Sequence, residues 1–228
     1  DHYQLQLPTF PHLYYPDGQI RDEDYVWTSL HTSNMGHKGV RCNDCHDPHT
    51  TKLKLPLSNN SLCMSCHGGG SNGRISGAII IDPATHTHHL GVGKHNGVGS
   101  GHSCVDCHMS ETVYMGRDPR RDHGFNVPDP LMTREHAVPN SCNKCHTDKD
   151  AEWSINWTNQ WYGDRMHTPE RERQRARTRA IASVYEGKPN SLEAMLQVYK
   201  NEMNPYWQAT LLQIMQPFSS SGRRSALR

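Results

Sequence analysis

All eight cysteines of this 228-residue chain fall into four copies of one arrangement, Cys-x-x-Cys-His: Cys42, Cys45 and His46; Cys63, Cys66 and His67; Cys104, Cys107 and His108; Cys142, Cys145 and His146. Two thiols at this spacing can add to the two vinyl groups of one porphyrin while the histidine behind them takes its iron, which is the attachment chemistry of a c-type haem. The four copies predict four covalently bound haem c groups, with the eight cysteines as thioethers and His46, His67, His108 and His146 as proximal iron ligands.

Zinc is the alternative, because paired CxxC motifs also build four-cysteine ribbons. Zinc gives no reason for a histidine behind every pair. With 17 histidines in 228 residues, four such followers arise by chance about 3 times in 100,000, so the spacing argues for haem. A disulfide framework explains less, since bridges within CxxC would staple nothing distant together.

What fills the other face of each iron decides the chemistry. Thirteen histidines lie outside the four motifs. Histidine on both faces gives a low-spin iron that passes electrons without admitting substrate. Methionine is the competing ligand, with Met35, Met64, Met109 and Met115 near motifs, but histidine is more abundant and clusters where ligands are needed. The densest cluster is His86, His88 and His89, followed by His95 and His102 in a glycine-rich stretch where the backbone can approach a porphyrin closely. His49 stands three residues after His46, too near to reach over its own haem, and is expected to ligate a neighbouring one. The distal set expected from the sequence is His37, His49, His89 and His123.

The elements that must hold these groups are sparse. Residues 1–35 carry Pro8, Pro11, Pro16 and Gly18 with no sustained period, and read as an extended N-terminal arm. Residues 36–150 hold all four motifs and read as the tetrahaem domain, loop and short helical turns wrapped on haems; Ser76 to Ile81 is a candidate short strand. Residues 151–228 turn to helical spacing, with Trp153, Trp157 and Trp161 at i, i+4 and i+8, then a stripe of Ala176, Ala180, Ile181, Val184 and Tyr185. Two more helices follow, one capped by Asn190 and one opened by Asn204 and Pro205. The stripes are read as helix packing. The expected fold class is mainly loop with short α-helices around four haems, a small all-α C-terminal segment and very little β-structure.

Only 34% of residues are hydrophobic, with three phenylalanines, which is thin for a chain of this length and fits a core made partly of porphyrin. A formal charge of +1, before any haem propionates, gives no sign of nucleic-acid binding. The longest aliphatic run is Ala78 to Ile81, far short of a membrane span. Attachment to CxxCH takes place outside the cytoplasm, so the chain is expected to be extracytoplasmic, its leader already removed.

Several stretches resemble the multihaem c-type cytochromes whose haem domain precedes HEAT-like or tetratricopeptide-like helices: Gly39 through Cys42 to Asp47-Pro48-His49, Cys107-His108-Met109, Tyr114 through Arg120-Arg121-Asp122-His123, and Pro139-Asn140-Ser141-Cys142 to Lys149. The likeness covers about residues 31–165. It implies extracytoplasmic electron transfer, with His49 and His123, and then His37 and His89, as haem ligands. The tail departs from that family by being short. Size, haem number and a proline-rich arm also resemble the tetrahaem cytochromes that polymerise into extracellular nanowires. That likeness implies a head-to-tail homopolymer, redox partner cytochromes or extracellular acceptors, and a histidine such as His12 or His31 donated between subunits. The rivals are a soluble periplasmic carrier, an enzyme or its relay subunit, for which the CxxCK motif is missing, and a docking module built on the helical tail.

Overall fold

A computed structural model describes residues 6–69, 77–89 and 101–218. Short helices come first: Val26–Thr32 (α1), Asn34–His37 (α2), Cys42–Cys45 (α3), Ser61–His67 (α4), Pro83–Thr87 (α5) and Cys104–His108 (α6). A hairpin of Glu111–Tyr114 (β1) and Asp118–Arg121 (β2) follows, then Pro130–His136 (α7), Ser141–Cys145 (α8), Ala151–Tyr162 (α9), a 3-10 turn at Gly163–His167, Pro169–Tyr185 (α10), Ser191–Asn201 (α11) and Pro205–Ile214 (α12). The molecule is helical and loop-rich, with that hairpin as its one sheet among the described residues. None of the described helices is long and apolar enough to cross a membrane.

The hairpin pairs Glu111 with Arg121 through Tyr114 with Asp118. Its turn places Met115 and Gly116 at φ 49° and 71°. Methionine rarely adopts that region, and Pro119 gives the second strand no amide to donate, so the local sequence argues against the hairpin that forms. With only two strands, Pro119 faces no further neighbour. The candidate strand at Ser76 to Ile81 does not form over residues 77–81, and Ser76 lies outside the described residues. Its backbone is spent on the second motif instead: Ile79 O accepts from the His67 ring and Ile81 N–H donates to His67 O.

The extended arm is corrected. Residues 6–35 pack on their own chain. Tyr14, Ile20 and Tyr114 are 1%, 2% and 1% exposed and form one small core. Ile20 N–H donates to Asp122 Oδ2 at 3.1 Å, Gln19 Nε2 to Pro139 O at 2.9 Å, and Trp207 Nε1 to Thr32 O at 2.9 Å. Gly18 sits at φ +93° with Trp207 so near that a Cβ would fall 2.6 Å from its ring, so only glycine fits. Its packing leaves no period to read, because single side chains insert from irregular backbone.

Helices α10 to α12 bury Ala180, Ile181, Met195, Trp207, Leu211, Ile214 and Met215 together, as the stripes predict. Asn204 caps α12, accepting from Tyr206 N–H at 2.9 Å. Asn190 precedes α11 in a left-handed conformation and makes no side-chain cap. Arg175, buried on α10, joins this bundle to the start of α7 through Asp129 at 2.7 and 3.1 Å.

Candidate haem centres

Each CxxCH lies on one helical turn: α3, α4, α6 and α8. A helical turn puts residues three apart on one face, which aims both thiols of a motif the same way. The turns are braced locally. Asp44 accepts the Arg41 N–H at 2.7 Å, and Asn140 accepts the Asn143 N–H at 3.1 Å. They are also braced to one another. Asn60, buried ahead of α4, accepts the Cys104 N–H at 2.9 Å and donates to His102 O at 3.0 Å, while Ser141 Oγ donates to Cys107 O at 2.7 Å.

Thiols of consecutive motifs come close enough to shift one another. Cys63 and Cys104 share a hydrogen bond that raises the first and lowers the second. Cys107 is pushed up to about 12, by burial first and by Cys142 second. Cys45 is raised by burial, then by Asp44 and Cys66. These mutual influences run from the first motif to the second, the second to the third and the third to the fourth.

Three of the four motif histidines are held by one device. Nδ1 of His46 meets Thr51 O, that of His67 meets Ile79 O and that of His108 meets Asn126 O, each at 2.8 Å. A carbonyl can only accept, so Nδ1 carries the proton and Nε2 presents a bare lone pair, the arrangement that orients a metal-binding imidazole. His89 and His123 repeat it, on Thr87 O at 2.6 Å and Arg121 O at 3.0 Å. Burial, chiefly, holds His86, His108 and His123 below the usual imidazole range, which keeps the neutral, ligating form.

Three pairs of imidazoles then face one another at nearly one spacing. The ring centroids of His46 and His123 lie 6.3 Å apart, those of His86 and His108 6.2 Å, and those of His89 and His146 6.3 Å. This is too wide for stacking contact. An imidazole–metal bond is about 2.0 Å and the ring centre lies about 1.1 Å behind the nitrogen, so two imidazoles on opposite sides of one iron have centroids about 6.2 Å apart. The planes are inclined by 29°, 13° and 39°.

These residues fit a haem. Beside three of the carbonyls that hold motif histidines lie apolar side chains open to solvent, Leu53 near Thr51, Ile79 with Ile80, and Val127 after Asn126, as a porphyrin face requires. Zinc fits less well: among the described residues no three His, Cys, Asp or Glu side chains gather to hold one ion, and none of the eight cysteines is in a disulfide.

Of the expected distal histidines, His123 stands opposite His46 and His89 opposite His146. His86, which the sequence places in the cluster without singling it out, stands opposite His108. His37 ends α2, and His49 sits in an exposed turn where Asp47 accepts its N–H at 3.0 Å; among the described residues neither makes a ring contact. His95 lies outside the described residues. His31 is held between Trp27 and Tyr206, with centroids at 4.1 and 4.9 Å.

The tryptophan stripe of α9 is not a helix–helix seam. The buried face of α9 is Ser154 and Thr158. Trp153 lies 4.8 Å from His146, and Trp161 stacks on His88 at 4.6 Å and 10°. The Tyr162 hydroxyl donates to His86 O at 2.8 Å. The helix is a wall of the third and fourth sites. The signal was in the sequence, in tryptophans repeating every four residues directly after the last motif.

Residues 35–72, which span the first two motifs, match the family described as a doubled CXXCH motif. The match supports covalently bound haem c, and with it a multihaem c-type cytochrome that transfers electrons. Among solved structures the chain is similar to outer cell wall cytochrome OcwA, with a TM-score of 0.42 and 15% identity over 95% of this chain and 53% of that one. The chain thus spans about half the length of that cytochrome. No curated protein matches it.

Proposed function

We propose that this chain is a tetrahaem c-type cytochrome that conducts electrons outside the cytoplasm through bis-histidine haems, and that its subunits join head to tail into a conductive extracellular filament. The observation that carries the haem reading is the repeated 6.2–6.3 Å separation of His46 and His123, His86 and His108, and His89 and His146. One such pair is a coincidence of packing; three at the span of a bridging iron are a design for six-coordinate, low-spin metal. The distal ligand of the second site is proposed to be His49 or His37, from the sequence.

The haem supplies one-electron ferric/ferrous exchange when bound, and no bond to substrate is made or broken. Electrons enter from a reduced partner cytochrome and leave to an oxidised extracellular acceptor. The chain's own part is to fix both imidazoles, keep them neutral and close the sites to other ligands. Thiols of consecutive motifs that influence one another support a path in sequence order, from Cys42–Cys45 to Cys142–Cys145. A row of this kind has two ends, and an end-to-end contact between copies extends it without closing. Within residues 6–30, Leu7, Tyr14, Ile20 and Leu30 are buried on their own chain, while Phe10, Tyr25 and Trp27 stay exposed. Assembly therefore rests on the row and on the resemblance. Electron microscopy of the purified, haem-loaded protein tests it: filaments support the proposal, and a monodisperse monomer at high concentration leaves a periplasmic carrier as the reading.

A further inference from the structure

Asp122 is 2% exposed and precedes His123 in the chain. Among the described residues its carboxylate is held by N–H donors rather than by a cation. Oδ1 accepts from Gly124 N at 2.7 Å; Oδ2 accepts from Ile20 N at 3.1 Å and from Asn126 Nδ2 at 3.2 Å. Its own N–H donates to Ser110 O at 3.1 Å. The carboxylate thus closes the loop 122–126 on itself. That loop delivers two different ligands. His123 leaves it toward His46, with its Nδ1 on Arg121 O. The carbonyl of Asn126 holds Nδ1 of His108, which faces His86. The third link, to Ile20, ties the loop to the N-terminal segment.

We propose that Asp122 is a positioning residue for two haem sites at once, setting the rings of His123 and His108 through one buried carboxylate, and that its charge lowers the potentials of those two haems relative to the other two. The inference rests on the assignment of His46–His123 and His86–His108 as iron-bridged pairs. The physical ground is that a partner on the second imidazole nitrogen orients the ring and raises its basicity. The carboxylate fixes the loop from which His123 and the His108-holding carbonyl both project, and a fixed negative charge in a buried setting favours the more positive ferric state. Asn126 transmits this to the third haem only. Its side chain is tied to Asp122 while its backbone holds His108.

The test compares haem-loaded Asp122→Asn, Asn126→Ala and, as a control on the exposed hairpin, Asp118→Asn by electron paramagnetic resonance and potentiometric titration. Asp122→Asn is expected to keep four covalent haems, to alter the low-spin signals of two, and to move two of four potentials positive. Asn126→Ala, which keeps the carbonyl but frees it, is expected to alter only the haem attached through Cys104 and Cys107. Asp118→Asn is expected to change nothing. If Asp122→Asn does not fold, Asn126→Ala alone decides, and unchanged signals and potentials there overturn the proposal. Equal shifts in all four haems of Asp122→Asn overturn it too, since they report a general charge effect. High-spin iron in the unaltered protein is a different result: it removes the paired-histidine assignment itself.

Discussion

Replacing His86 with alanine tests the pairing more sharply than replacing a motif histidine, because it leaves covalent attachment untouched. His86 faces His108 across 6.2 Å, with rings inclined by only 13°, and His89, three residues on, faces His146 across 6.3 Å. Under the proposed pairing each imidazole serves one iron of four. His86→Ala should convert one quarter of the low-spin signal to high-spin or water-ligated iron, His89→Ala a different quarter, and the double variant one half. The anchors are separate, which is why the losses should add. Tyr162 holds the His86 carbonyl at 2.8 Å, while His89 is fixed by its own Nδ1 on Thr87 O at 2.6 Å. Intact mass should still show four haems, since the thioethers remain. Added imidazole should restore the lost signal, and paramagnetic NMR should connect the His86→Ala vacancy to the haem of Cys104 and Cys107. Loss of half the low-spin signal in either single variant, or no loss in both, refutes the pairing.

His49→Ala should disturb a haem other than that of Cys42 and Cys45, because His123 already faces His46; a lesion confined to that first haem refutes this. Arg175→Met leaves Asp129 and Glu172 without their 2.7 Å partner, and breaking a buried pair of this kind costs about 3 kcal/mol, to be read as a lowered Tm with the haem number unchanged. The Asp17 carboxyl is raised from 3.8 to about 6, mainly by burial, so the folded state binds the extra proton and stability falls as pH rises from about 4 to 6. Relative to Asp17→Asn, wild type should lose up to about 3 kcal/mol across that window, since each pKa unit is about 1.4 kcal/mol; a flat difference in Tm contradicts it.

The candidate attachment sites can be read from the sequence alone because they are local, five residues each with their chemistry in the side chains. The helical tail was legible for the same reason, its apolar stripes repeating within single helices. What escaped was set by contacts between distant segments. His86, His88 and His89 differ in placement by backbone alone: His88 takes φ 54° and turns onto Trp161, while its neighbours stand opposite the motif histidines His108 and His146. No spacing rule separates them. Tyr14 and Ile20 find Tyr114 from irregular chain, so their burial leaves no pattern. The hairpin went unread because Met115 and Pro119 oppose it locally and tertiary contacts, Ile20 with Asp122 among them, override that preference.

The central claim is that the chain's histidines clamp iron from both sides. Electron paramagnetic resonance of the oxidised, fully loaded protein, calibrated against haem number from intact mass, tests it most directly. Four haems per chain, with the sites of His46, His108 and His146 low-spin, are the expected result. A dominant high-spin ferric signal at four haems per chain would contradict it, because irons with an open face cannot lie between those three pairs of rings.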